Sequence, residues 1–190
     1  RESVARVPGL RREARLRLED LARLPGPHVT PAWMWRLRRR VEEVLADPRV
    51  DGVVITHGTD TLEETAYLLD LTVAGPKAVV LTGAMRTFSD PGWDGPANLT
   101  AAVRTAAHPG ARDRGALIAF GEEIHAAARV RKAHTQRLDA FRSALGPVGD
   151  TPAKPRGVVH ADDHRHAPEA REGGRGRRSA RGAGTARHPG

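Results

Sequence analysis

Apolar positions along the chain recur with two periods. Met34, Leu37, Val41, Val44 and Leu45 fall at helical spacing, while Arg36, Arg38, Arg39, Glu42 and Glu43 fill the opposite face. This predicts an amphipathic helix. Thr30 before Pro31 supplies an N-cap and a first-turn proline, and Asp47-Pro48 ends the pattern. Upstream, Pro25, Gly26 and Pro27 break regular structure into a loop, and Trp33 and Trp35 read as packing residues. Val53-Val54-Ile55 is a continuous β-branched run that suits a strand buried on both faces. The polar turn His57-Gly58-Thr59-Asp60 follows, and then Thr61-Leu62-Glu63-Glu64 spells a capping box with Thr61 as N-cap and Glu64 at N3. Leu62, Ala66, Leu69 and Val73 give the helix it opens an apolar face, and Ala78-Val79-Val80-Leu81 is a second buried strand. Strand, helix and strand within about thirty residues predict a βαβ unit with parallel pairing. Asp94-Gly95-Pro96 opens another helix carrying Leu99, Ala102, Val103 and Ala106, closed near His108-Pro109-Gly110, and Ala116–Phe120 is a third strand.

The alternation predicts an α/β fold: a three-layer, open, mostly parallel sheet with helices on both faces, occupying residues 1–149. Ligands of such sheets bind outside the carboxyl ends of the strands. The chemistry is therefore expected at the turns Thr56–Asp60 and Thr82–Thr87.

Composition narrows the classes. The 190 residues contain no Cys, which excludes disulfide scaffolds, thiolate metal sites and cysteine nucleophiles. No run of about 18 apolar residues occurs, so no membrane partner is expected. No basic-then-apolar leader opens the chain, so the cytoplasm is favoured over secretion. Of the net charge of +8, residues 151–190 hold +5, from one Lys and eight Arg against four acids. Their only apolar residues besides Ala are Val158 and Val159. Such a segment cannot offset its ordering entropy, so residues 150–190 are expected to form a disordered Arg/Gly/Ala-rich tail. Phosphate binding by a basic tail is conceivable on charge, but with no aromatic side chain for base stacking, nucleic acid is not the expected partner.

No G-x-G-x-x-G, P-loop or G-x-S-x-G pattern occurs, so dinucleotide, nucleotide and serine-elbow readings have no warrant. A hydroxyl and a carboxylate, Thr59 and Asp60, stand side by side between a strand end and a helix start. A threonine hydroxyl needs a base to act. Only Lys77, Lys132 and Lys154 are lysine among 31 basic residues, and arginine does not give up its proton. On the residues alone, Lys132 is either a surface cation or that base. His57 either bonds the backbone of its turn or serves as a general base. His125 and His134 show no metal-ligand spacing, and no metal is expected.

At these residues the chain resembles a known family. Val54-Ile-Thr-His-Gly-Thr-Asp-Thr-Leu-Glu-Glu-Thr-Ala-Tyr67 is similar to the second signature of bacterial-type L-asparaginases. Leu81-Thr-Gly-Ala-Met-Arg86, Asp94-Gly-Pro-Ala-Asn98 and Val130-Arg-Lys-Ala-His-Thr135 resemble the segments that follow, in order. The resemblance covers about Val7 to Gly149. It implies the family's N-terminal domain and a cofactor-free hydrolase that cleaves L-asparagine to aspartate and ammonia. Thr59, Asp60 and Lys132 are then the catalytic triad, in which Thr59 activates the attacking group, Lys132 tunes its proton and Asp60 fixes the substrate ammonium. Gly58 and Ala84 line the pocket and polarise the amide, and a homo-oligomer is implied. The chain departs from the pattern in three places. The first signature, Thr-Gly-Gly-Thr, is absent, and Gly26-Pro27-His28-Val29 stands where a substrate-binding serine is usual, leaving His28 as the candidate contact. The second domain is also absent. Weak or no activity is expected of the chain alone. A non-catalytic binding or assembly module, with nucleic-acid binding through the basic tail as one form of it, is the alternative.

Overall fold

A computed structural model describes Val7 and residues 9–151. The basic tail expected at 150–190 thus lies outside the described residues from position 152 on. Strands β1 (Gly52–Thr56), β2 (Ala78–Thr82) and β3 (Ala116–Phe120) run parallel, in that order across the sheet. β4 (Glu123–Ala126) turns back antiparallel to β3, and a later two-residue strand, Gly149–Asp150, pairs antiparallel with β4. The sheet is therefore open and mixed, with its parallel half carrying the expected βαβ unit. Beyond Asp150 one more bond, Thr151 N to Glu122 O at 2.7 Å, extends the pairing.

Helices α1 (Leu10–Glu13), α2 (Pro31–Leu45), α3 (Leu62–Thr72) and α4 (Gly95–Ala107) cover the two faces. Side chains of β2 and β3 alternate between them. Val79, Leu81, Ala116, Ile118 and Phe120 meet Leu37 and Val41 of α2 and Leu62, Ala66 and Leu69 of α3. Ala78, Val80, Leu117 and Ala119 meet Ala101 and Ala102 of α4 on the other face. Every residue of β2 and β3 is buried, as the unbroken apolar runs require when both faces are covered. Outside α4, Leu10 packs on Leu99 and Val103, and Glu13 pairs with Arg104 at 2.7 Å. The arginine hydrogen bond holds the Glu13 carboxyl below the usual carboxylate range, against a desolvation cost.

The helix starts follow the sequence unevenly. Thr30 caps α2 by accepting from Trp33 N at 3.3 Å, an interaction worth about 1 kcal/mol. Lys77 closes the other end, its Nζ donating to the carbonyls of Leu45 and Asp47 at 2.7 and 2.8 Å, where a cation suits the helix dipole. Thr61 does not close the capping box at α3. Its side chain makes no cap bond, and its Oγ1 instead donates to Gly26 O at 2.8 Å. A buried carbonyl in the neighbouring loop outcompetes the local helix N–H groups. Trp33 packs partly against the core. Trp35, read from the sequence as packing, is 47% exposed, with the Arg38 guanidinium 5.7 Å from its ring centroid. Among the described residues no helix is long and apolar enough to cross a membrane.

Candidate active site

The parallel register pairs Thr56 with Thr82, so the loops after β1 and β2 leave the same edge of the sheet. Their backbones touch there, with His57 N donating to Thr82 O at 2.8 Å. A Cβ on Gly83 would stand 2.5 Å from His57 O and 3.2 Å from Thr59 Cγ2, and one on Gly58 would stand 2.7 Å from the N and Cα of Gly26. Glycine is needed at both positions because backbone occupies the space a side chain would fill. The contact also seats the Pro25–His28 loop, with its 3₁₀ turn Gly26–His28, on the Gly58–Asp60 turn.

His57 is held at both ring nitrogens. Nδ1 lies 2.7 Å from Gly58 O and Nε2 lies 3.1 Å from Thr65 Oγ1. Burial pushes the imidazole below its ordinary value, only partly opposed by the Gly58 carbonyl and the Glu64 charge. In the neutral ring the proton sits on Nδ1, donated to Gly58 O, and Nε2 and Thr61 O, 2.9 Å from Thr65 Oγ1, share the one hydrogen of the Thr65 hydroxyl. His57 is thus a backbone-bonding residue that stiffens the turn, the first of the two readings its position allowed.

Thr59 and Asp60 lie on the turn entering α3, whose first turn carries Glu63 and Glu64. A second, two-stranded sheet lies beside this edge, made of β5 (Val130–Lys132) and β6 (Phe141–Ser143). Val130 and Phe141 bury themselves against the core beneath α3, which brings Lys132 over the turn. Its Nζ donates to Thr59 Oγ1 at 2.9 Å and to Asp60 Oδ1 at 2.8 Å. The Lys132 side chain is 15% exposed and that of Asp60 55%, so the pair is covered on the lysine side and open on the carboxylate side. The backbone N of Lys132 donates to Glu63 Oε2. Asp60, Glu63 and Lys132, with Ala133, His134 and Thr135, line an open cleft of about 430 Å³.

The other candidates take different places. Ala84 is half-buried on the loop after β2, beside the turn but outside the cleft lining. His28 is exposed and is likewise not among the lining residues, so its loop reaches the site through Gly26 rather than through the imidazole. Three residues not singled out as functional from the sequence brace the site. Asp94 accepts from Met85 N and Arg86 N at 2.9 and 3.0 Å. Asn98, 3% exposed, donates to Gly83 O at 3.1 Å and to Asp94 Oδ2 at 3.0 Å, and accepts from Gly121 N at 3.1 Å. Glu63 is the third. The signal for the first two lay in the run Asp94-Gly-Pro-Ala-Asn98: two polar residues at i, i+4 share one helix face. For Glu63, read only as part of a helix start, no sequence signal pointed to Lys132.

Behind the second sheet, His125 on β4 is 1% exposed, its Nδ1 3.0 Å from Ser143 Oγ. Burial and then the Arg142 charge push this imidazole down to about 4. The Glu123 carboxylate lies 3.3 Å from Nε2 but out of hydrogen-bond geometry, so Nε2 has no hydrogen-bond partner among the described residues.

An amine bridging a hydroxyl and a carboxylate at the rim of a cleft can carry a proton to and from the hydroxyl. Comparison with known proteins bears on the reaction served. The family described as "Asparaginase, N-terminal" matches residues 1–162. The chain is 48% identical over 126 residues to a protein of Deinococcus radiodurans named "Probable L-asparaginase", covering 66% of this chain and 38% of that protein. It is 40% identical over 144 residues to "L-asparaginase 2" of Bacillus subtilis, covering 75% and 38%. The structure of the "Probable Cytoplasmic L-asparaginase from Campylobacter jejuni" superposes with a TM-score of 0.79 at 35% identity, covering 84% of this chain and 49% of that one. The chain thus spans less than half the length of these relatives.

Proposed function

Because the chain belongs to the asparaginase family through that family's N-terminal domain, we propose that it carries the Thr59–Asp60–Lys132 side of a centre that hydrolyses the side-chain amide of L-asparagine to L-aspartate and ammonia. What supports the reading is one amine, Lys132 Nζ, within hydrogen-bond distance of both Thr59 Oγ1 and Asp60 Oδ1. Because Thr59 Oγ1 accepts from Nζ, its own hydrogen is free to be given away. In the attack, the oxygen of a water activated by Thr59 forms a bond to the amide carbon and the carbonyl electron pair moves onto oxygen. The proton the water loses passes through Thr59 to Lys132, whose amine takes it in the unprotonated form, its lone pair turned to the Thr59 hydroxyl. On collapse the C–N bond breaks, and Lys132 returns the proton so that nitrogen leaves as ammonia. Backbone N–H groups at Gly58 and Ala84 face the developing oxyanion. The open side of Asp60 takes the substrate ammonium, and the His28 loop borders the turn through Gly26. General acid–base transfer of this kind contributes roughly 10²–10⁴-fold. No cofactor enters the scheme, and assembly into a homo-oligomer belongs to the same proposal.

The test is ammonia release from L-asparagine by the purified chain, paired with titration of L-asparagine and L-aspartate against the backbone amides of residues 58–63 by NMR. Release that disappears in Thr59→Val, or saturable amide shifts confined to the turn, supports the proposal. Neither release nor shifts at millimolar ligand overturns it in favour of a non-catalytic assembly module.

A further inference from the structure

We infer that Glu63 is a positioning residue that holds Lys132 in register with Thr59 and Asp60. The inference rests on the reading above only for the role it gives the Lys132 amine. The placement itself comes from the backbone.

Lys132 does not sit on the main sheet. β5 pairs with β6 alone, in a separate two-stranded sheet, so the parallel ladder that fixes the Thr59 turn has no hold on the lysine's position along its strand. Within that hairpin Lys132 stands opposite Phe141, and the next residue, Ala133, donates to Ala140 O at 2.7 Å. Antiparallel pairs alternate between bonded and non-bonded. The Ala133–Ala140 pair is bonded, so the Lys132–Phe141 pair is not, and the Lys132 N–H points away from β6. An outward edge donor needs a partner from elsewhere.

Glu63 supplies it. It is the second residue of α3, half-buried, with its carboxylate accepting from Lys132 N. The same lysine's Nζ bonds Thr59 and Asp60, on the turn that leads into the same helix. One continuous stretch, residues 59–63, thus grips Lys132 at both ends, by its backbone and by its amine. A slide of the hairpin along α3 has to break the Glu63 bond before the amine can leave Thr59. Among the described residues the hairpin has other anchors: the buried Val130 and Phe141 are apolar contacts, and the hydrogen bond between Ser143 Oγ and His125 Nδ1 holds the end of β6 away from Lys132.

The chain has only three lysines, which makes the test direct. Trace acetylation with acetic anhydride, followed by peptide mass spectrometry, gives the reactivity of Lys132 relative to Lys77, whose amine is bonded at the end of α2. Glu63→Ala is expected to raise the Lys132/Lys77 ratio about fivefold to tenfold, the population change that loss of one hydrogen bond permits. Glu63→Gln keeps a carbonyl oxygen for the Lys132 N–H and is expected to bring the ratio back to within about twofold of the parent. An unchanged ratio in Glu63→Ala, a parallel rise at Lys77, or a rise in Glu63→Gln as large as in Glu63→Ala each overturns the inference. The ratio is independent of amide hydrolysis: a chain that fails to release ammonia still reports whether Glu63 holds the lysine, and the two ideas fail separately.

Discussion

Lys132 and Thr59 are 73 positions apart in the chain and are joined by a 2.9 Å hydrogen bond from Nζ to Oγ1. The bond closes a triangle with Asp60 and joins the second, smaller sheet to the edge of the main one. A surface cation would be solvated on most sides, but this side chain is 15% exposed. Its position follows from burying Val130 and Phe141 against the core: Lys132, two residues past Val130 and opposite Phe141, shares their face of the hairpin and is carried over the turn.

Lys132→Met keeps the length of the side chain and removes its donors. It is expected to lower ammonia release by roughly 10²–10⁴-fold. Lys132→Arg keeps the charge but cannot pass a proton, so it is expected to lose activity to a similar degree. Steady-state assays of both variants decide the point. An arginine variant that works at the parental rate shows that charge alone is needed and removes the proton-relay role.

Asn98 ties the loop after β2 to the turn between β3 and β4 through Gly83 O, Asp94 and Gly121 N. Asn98→Ala removes the side-chain partner of the half-buried Gly83 O and of Gly121 N at the exposed turn and is expected to cost about 1–3 kcal/mol. Urea unfolding measures this as a lower midpoint at unchanged slope. A loss below 1 kcal/mol shows that water replaces the amide.

Gly58 has no room for a methyl group, because the backbone of Gly26 would lie 2.7 Å from it. Gly58→Ala is expected to push the Pro25–His28 loop off the turn at about 1–3 kcal/mol. Amide shift changes should appear in both segments, residues 25–28 and 57–61. Changes confined to residue 58 and its immediate neighbours refute the predicted displacement.

His125 makes stability depend on pH with a definite sign. Its value, pushed down to about 4 in the folded chain, lies below the ordinary ~6.5 of an unfolded histidine. The unfolded state therefore binds the proton first as pH falls. The contribution is full above about pH 6.5, declines between pH 6.5 and 4, and is gone below, with a total of roughly 3 kcal/mol at most. The nearby Glu123 carboxylate works against this by favouring the charged ring. His125→Asn is expected to flatten that part of the stability profile, read by denaturant midpoints at half-unit pH steps. A parallel profile in the two proteins assigns the acid sensitivity to other groups.

The strands β1, β2 and β3 and helices α2, α3 and α4 were legible because each is written in a local pattern, apolar runs for the strands and helical spacing for the layers that cover them. β1, expected to be buried on both faces, is nevertheless an edge strand among the described residues, with only Ile55 buried. β4 was not legible. Its hairpin turns at Gly121-Glu122, both at positive φ (58° and 72°), the geometry of a two-residue type I′ turn. A glutamate in the left-handed region is not a turn signal, and the short strand Glu123-Ile124-His125-Ala126 mixes polar with apolar residues. The sheet, expected to be mostly parallel, consequently extends antiparallel beyond β3, where the pattern marked no strand. Of the candidate site, Thr59, Asp60 and Lys132 were legible as residue types and by resemblance, while the exposed position of the His28 side chain and the bracing by Glu63 were not.

By itself the sequence determined where β1–β3 and α2–α4 lie, that the sheet has two covered faces, and that the turns after β1 and β2 face one way. These follow from side-chain periodicity and from near neighbours, which act before the chain is folded. Tertiary structure alone decided which partner each polar group took. Thr61 bonds Gly26 O rather than its own helix, Glu63 takes an edge N–H from another sheet, and Lys132 reaches Thr59 from that second sheet. Such choices depend on what is brought within about 3 Å, and that distance is set by the packing of apolar surfaces elsewhere in the chain.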